Sequence, residues 1–249
     1  MWGATDLHHG ETGVQTIPRD MTYHPGLKRI VFAPVVEMLQ LRTDQLDAEG
    51  NRTIGGGAPL ELKVSSKCEI AISFELPTTA ANIEISLPHG NAIVVNYTTP
   101  SSSQSPSLSG AAGTNWTAGG AWMFNVSYKT TTSLFTDELP MLAGDSHLSI
   151  RLFIDSHIAE VYFMGGRVVL TSNIVDLDSI QTVQVSSSSD IRLSAATVYG
   201  MGDIHVGVDN VLSMNGGDQC HNGETRSKLE DIYRLPYISV RDGEPRSEI

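Results

Sequence analysis

Apolar and polar residues alternate along most of the stretch 60–199, and a period of two predicts β-strands rather than helices. In residues 68–76 the set Cys68, Ile70, Ile72, Phe74 and Leu76 takes one face, while Glu69, Ser73 and Glu75 take the other. Ile83, Ile85 and Leu87 repeat the pattern until Pro88-His89-Gly90 stops it. Trp122, Phe124, Val126 and Tyr128 share a further face, with Asn125 and Ser127 opposite. Residues 100–120, rich in Ser, Gly and Ala, read as a long surface loop.

The clearest pattern lies in 148–171. Leu148, Ile150, Leu152 and Ile154 alternate up to Asp155-Ser156-His157, whose short polar side chains suit a tight turn. Residues 158–164 return as a second strand. Gly165-Gly166 predicts a two-residue turn of type I′, because both positions can take positive φ, and 167–171 form a third strand. That parity buries Ile150, Leu152 and Ile154 and leaves Ser149 and Arg151 as surface side chains. Residues 191–199 look like a closing strand. Many short strands with turn signals between them favour an antiparallel β-sandwich over a parallel sheet.

The flanks differ. Residues 1–33 hold strand-like pieces at 14–17 and 29–32. Pro34 then opens the one helical pattern, 35–42, with proline at its start. After Met201 the chain turns polar and acidic, and 203–249 read as a mostly disordered tail. The expected organisation is thus 1–33, a linker helix in 34–46, a sandwich in 47–202, and the tail.

Charge narrows the partners. The chain has 249 residues and a formal net charge of −12, which argues against a generic electrostatic grip on nucleic acid or an anionic membrane. No apolar run reaches the ~18–20 residues of a spanning helix. Cys68 and Cys220 allow at most one internal bridge. Residues 1–6 lack the basic start and apolar stretch of a secretory signal. Four N-glycosylation sequons nevertheless occur, at Asn51, Asn96, Asn115 and Asn125, and favour a secretory-pathway history.

Candidate chemistry is sparse. Asp155 and Glu160 are the one carboxylate pair in a well-patterned segment. Paired acids do glycosidic hydrolysis, but these two also fit a turn-capping aspartate and a surface strand residue. Arg19-Asp20 fits an ion pair at a strand end. His8-His9 are adjacent, and no His-x-x-x-His or Cys-x-x-Cys spacing marks a metal site. Cys220-His221 lies in the tail, and Gly55-Gly56-Gly57 lacks the lysine of a phosphate loop. Trp116 and Trp122 fit sugar stacking and core packing alike. Composition and spacing point to no catalytic residue, no cofactor and no metal.

Two stretches, in order, resemble glycoside hydrolase family 32, the invertase and fructan-hydrolase family. Gly13-Val-Gln-Thr-Ile-Pro-Arg19 followed by Pro34-Val-Val-Glu-Met-Leu-Gln-Leu-Arg42 is similar to the end of its five-bladed propeller and the short helix leaving it; Trp2-Gly3 is similar to a pair just upstream. Residues 148–172 resemble the signature meander of its C-terminal sandwich, with Asp155, Glu160, Gly165, Gly166, Arg167, Thr171 and Ser172 in the family's order. The turn reads Asp-Ser-His where the family commonly has Asp-His-Ser, which changes the place of His157. The family's catalytic carboxylates sit in Asn-Asp-Pro, Arg-Asp-Pro and Glu-Cys motifs of the propeller, and no position here matches them. Arg19-Asp20 is followed by Met21, and Cys68-Glu69 has the reversed order in the wrong domain.

The resemblance therefore implies an all-β chain: an incomplete last propeller blade, a short linker helix and an antiparallel sandwich. It implies the accessory part of an enzyme that cleaves β-fructofuranosyl bonds of sucrose or fructans, inactive alone. Its partners would be the missing propeller in cis and, through it, carbohydrate; an extracellular or vacuolar location follows. The alternatives are a free-standing carbohydrate-binding sandwich and a structural or adhesive one.

Overall fold

The computed structural model describes residues 16–202 except 56, 58, 99–122, 143, 156–157 and 174–181. Asn115, Trp116, Trp122, His157 and the expected tail 203–249 with Cys220 lie outside the described residues. The strands, in chain order, are β1 (Arg19–His24), β2 (Arg29–Pro34), β3 (Arg42–Ile54), β4 (Leu60–Lys63), β5 (Lys67–Glu75), β6 (Ala81–Ser86) and β7 (Ala92–Thr98). They continue with β8 (Met123–Lys129), β9 (Leu134–Leu139), β10 (His147–Asp155), β11 (Ile158–Phe163), β12 (Val168–Asn173), β13 (Thr182–Ser187) and β14 (Ile191–Met201).

Two six-stranded antiparallel sheets form the sandwich. The first has the order β12-β11-β10-β5-β14-β3, the second β4-β13-β6-β7-β8-β9. Period-two alternation supplies one apolar face from each sheet. Ile70, Ile72, Phe74, Ile150, Leu152, Val161 and Phe163 come from the first; Ile83, Ile85, Val95, Phe124, Val126 and Val185 come from the second. Cys68 is a free thiol within this core, and burial pushes its pKa up to about 12. Tyr97 and Tyr128 bring hydroxyls into the same interior.

The predicted meander is β10-β11-β12, and Ile150, Leu152 and Ile154 are buried as its parity requires. Its second turn is longer than two residues. Phe163 pairs with Val168, and Met164, Gly165 and Gly166 all have positive φ, at 48°, 66° and 93°. The Phe163 carbonyl accepts from the amides of both Gly166 and Arg167. The tight pair is therefore Met164-Gly165, with Gly166 following it. The expected closing strand is β14, the last in chain order among the described residues, and within the sheet it lies between β5 and β3.

The N-terminal elements also depart from expectation. β1 and β2 form a separate two-stranded hairpin, and residues 16–18 are not strand, whereas 19–24 are. The helical pattern yields one 3-10 helix, Val36–Leu41, and Arg42 already has extended geometry (φ −63°, ψ 130°). β3 then runs thirteen residues as an edge strand on β14, so the linker ends at Leu41 rather than at residue 46. Ladder pairing with β14 supplies the order that the polar sequence of β3 does not advertise.

Candidate functional site

The outer face of the first sheet carries a buried polar seam. Cross-strand register aligns Phe153 with Glu69 on one side and Glu160 on the other, and Glu160 with Thr171. One step along, Arg151 lies opposite Tyr162. Residues 17–42 cover this face: Met38 packs in a small cluster with Phe153 and Tyr162, joined by Ile17, Val35, Leu41, Val169 and Met201. Strand parity alone would send these side chains to solvent. The 3-10 helix packs on Phe153 and Tyr162 through Met38, while Ile17 and Arg19 lie on Glu160 and Arg42 on Glu69; Thr171 stays exposed.

Glu160 is the first node. Its side chain is 3% exposed and its Oε2 lies 2.6 Å from Arg19 Nη2. The Tyr162 hydroxyl donates to the same oxygen at 3.0 Å, and the Ile17 amide donates to Oε1 at 2.7 Å. Arg19 completes the cluster by donating to the Tyr162 hydroxyl at 3.0 Å and to Thr171 Oγ1 at 3.2 Å. Burial alone would lower the Arg19 pKa, but hydrogen bonding and charge from Glu160 outweigh it and raise it. Burial and the Glu160 charge likewise push the Tyr162 phenol up, against the opposing pull of Arg19.

Glu69 is the second node, and its side chain is fully buried. Arg42 grips it with two bonds, Nε to Oε2 at 2.7 Å and Nη2 to Oε1 at 2.8 Å. Arg151 Nε donates to Oε1 at 2.7 Å. Burial works against the Glu69 charge, yet the two arginines prevail and hold its carboxyl below the ordinary range. Aromatic rings link the nodes: Arg42 sits 4.1 Å over Tyr199, Arg151 5.0 Å over Phe153, and Phe153 meets Tyr162 edge-on at 5.8 Å.

The other sequence-singled residues fall around this seam. Arg167 makes a bidentate pair with Asp145 at 2.6 and 2.9 Å and donates to the Pro140 carbonyl, tying the β11–β12 turn to the segment that enters β10. Gly166 accepts from the Phe32 amide at 3.0 Å, so the same turn touches β2. Asp155 is exposed at the end of β10, while Glu160 lies two register positions inward with both oxygens engaged. That geometry anchors a chain segment; it does not present two open carboxyl groups to a sugar. Arg19 pairs with Glu160 instead of Asp20, and Arg151 is a partner of Glu69 rather than a surface side chain. Glu69 was missed; its one trace in the sequence is that its β5 position and Arg151 both fall on faces opposite the apolar ones. Asn51, Asn96 and Asn125 lie on β3, β7 and β8.

Among the described residues no group of three metal-binding side chains gathers, and no helix is long and apolar enough to cross a membrane. The family described as glycosyl hydrolases family 32 C terminal matches residues 37–200, well over half of the chain. The chain belongs to that family. No curated protein sequence matches it. Among solved structures, fructan 1-exohydrolase IIa from Cichorium intybus is similar at TM-score 0.63 and 15% identity, covering 81% of this chain and 44% of the other. Exo-inulinase from Aspergillus awamori is similar at TM-score 0.54 and 13% identity, covering 76% and 36%. Identities this low establish the family 32 C-terminal fold alone. The chain spans less than half the length of either enzyme.

Proposed function

We propose that this chain is the accessory C-terminal portion of a hydrolase acting on β-fructofuranosyl bonds of sucrose or fructans, inactive without a propeller in cis, and extracellular or vacuolar. The observation that carries the reading is the β1–β2 hairpin. On one of its faces Met21 pairs across the strands with Phe32, and Tyr23 with Ile30. All four are exposed, Met21 at 71% and Tyr23 at 65%. An apolar ribbon of this kind needs a neighbour, and a preceding propeller blade is the neighbour that the family relationship suggests.

The seam supports the same reading. Arg19 begins β1 and is clamped to Glu160, so the hairpin is held on the sandwich by buried, charge-assisted bonds. In this reading the sandwich is a stand for the last blade, and the carboxylates that break the glycosidic bond belong to the propeller. The Asn-Asp-Pro, Arg-Asp-Pro and Glu-Cys motifs that carry the family's catalytic carboxylates have no match in the sequence. The test is fructose release from sucrose, 1-kestose and inulin by the isolated chain. No release above a buffer blank is expected, and turnover above it would overturn the accessory role. A sugar titration without turnover that still shows saturable binding would favour the free-standing carbohydrate-binding alternative.

A further inference from the structure

Three of the four sequons fall on described residues, and they occupy unlike places. Asn51 lies on β3, the edge of the first sheet, and is exposed together with Thr53 of its sequon. Its φ is +49°, a conformation asparagine tolerates better than most residues. It sits between Gly50 and Arg52, which pair with Ala195 and Leu193, where β14 carries an irregularity against β5. The β3–β14 ladder keeps its register through this position, and the exposed Asn51 side chain lies on a sheet edge. Among the described residues, no strand pairs with the free side of β3 for a bulky substituent there to displace.

Asn96 and Asn125 are the opposite case. They face each other in register across β7 and β8, near the middle of the second sheet, and both are half-buried. Asn82 lies beyond Asn96 and Glu138 beyond Asn125. Directly opposed side chains have Cβ atoms about 4.5–5.5 Å apart. A pyranose ring with its N-acetyl group is at least that wide, so two linked sugars would claim one volume.

We propose that Asn51 carries an N-linked oligosaccharide, and that Asn96 and Asn125 share one between them and never two. This rests on the extracellular or vacuolar route given above. The donor is an oligosaccharide on a lipid pyrophosphate. The asparagine amide nitrogen bonds to the anomeric carbon, the anomeric carbon–oxygen bond to pyrophosphate breaks, and the pyrophosphate leaves with that electron pair while the nitrogen gives up one proton. Transfer precedes folding, so the sheet acts as a filter. A chain modified at both positions cannot close β7 on β8 and is not released.

The test secretes the full chain from a eukaryotic host behind a supplied leader, so that the natural route is not at issue. No lysine or arginine lies between Lys67 and Lys129, so trypsin leaves residues 68–129 with Asn96, Asn115 and Asn125 on one peptide. Peptide-N-glycosidase in heavy-oxygen water converts each glycosylated asparagine to labelled aspartate, and fragment spectra place the labels within single molecules. Expected are label at Asn51, a one-glycan gain in gel mobility for Asn51→Gln, and label at Asn96 or Asn125 in each secreted peptide. Doubly labelled peptides are expected only in the cell-retained pool. An unlabelled Asn51, secreted peptides labelled at both positions, or secreted peptides labelled at neither would each overturn the proposal.

Discussion

Replacing Gly166 with alanine tests whether the β1–β2 hairpin is locked to the sandwich by a backbone approach. A Cβ added at Gly166 would overlap the carbonyl of Phe32 and lie 2.9 Å from the Ala33 nitrogen. Backbone atoms cannot swing aside as a flexible side chain does. The residue's φ of +93° also lies where an L side chain is strained, on the order of 1–3 kcal/mol. Pushing β2 away breaks the 3.0 Å bond from the Phe32 amide to the Gly166 carbonyl, a further loss of about 0.5–1.5 kcal/mol. The two contributions predict a destabilisation of about 1.5–4.5 kcal/mol. Gly165→Ala is the control. Its φ of +66° is ordinary left-handed geometry, which costs an L residue about 1–2 kcal/mol. Urea midpoints give the two stabilities, and amide exchange at Phe32 reads the hairpin itself. Gly166→Ala should lower the midpoint further and be the variant that deprotects Phe32. Equal midpoints with Phe32 still protected would show that the turn does not bear on β2, and the locking argument would fall.

Four other outcomes follow from the seam and the core. Glu69→Gln should flatten the acid side of the stability profile: the folded carboxyl titrates below its ordinary value, so its contribution is present above the unfolded pKa of about 4.3 and is lost as pH falls through the lower folded value. Urea midpoints taken downward from neutral pH measure this. Arg151→Ala, which leaves Arg42 on Glu69, should cost about 1.5–3 kcal/mol at neutral pH by the same assay; a cost near zero would mean that Arg151 behaves as a surface residue. Starting the chain at Arg42 strips Ile17 and Arg19 from Glu160 and Met38 from Tyr162, and uncovering one partner of a buried pair costs about 3–5 kcal/mol. The truncated chain should therefore melt lower than the full chain despite losing its exposed apolar ribbon. Tyr128→Phe should be neutral or stabilising within about 1 kcal/mol, because the Tyr128 hydroxyl is buried with no partner among the described residues; a large loss of thermal stability would reveal a bond to it.

The interior of the sandwich was legible because burial there follows one rule, alternation, and the rule is local. Ile70, Ile72 and Phe74 announce their face within five residues of sequence, and so do Ile150, Leu152 and Ile154. The meander was legible for the same reason, since its strands are neighbours in the chain and in the sheet. Alternation fails on the other side of the first sheet because it assumes a polar residue faces water. Glu69 and Glu160 are polar, yet a segment from far away in sequence lies over both. Arg19 reaches Glu160 across 141 positions, and Arg151 reaches Glu69 across 82. No window of periodicity spans such distances, and a charged side chain carries no local mark of whether its partner is water or an arginine. β1 and β3 were obscured by the same blindness, being polar runs ordered by what they pair with. Gly165 and Gly166 show the limit from the other direction. Both were legible as positive-φ residues, but only the approach of Phe32 makes the second of them a glycine for a tertiary reason. What sequence pattern conceals in this fold is the covered outer face, where the N-terminal segment meets the sandwich.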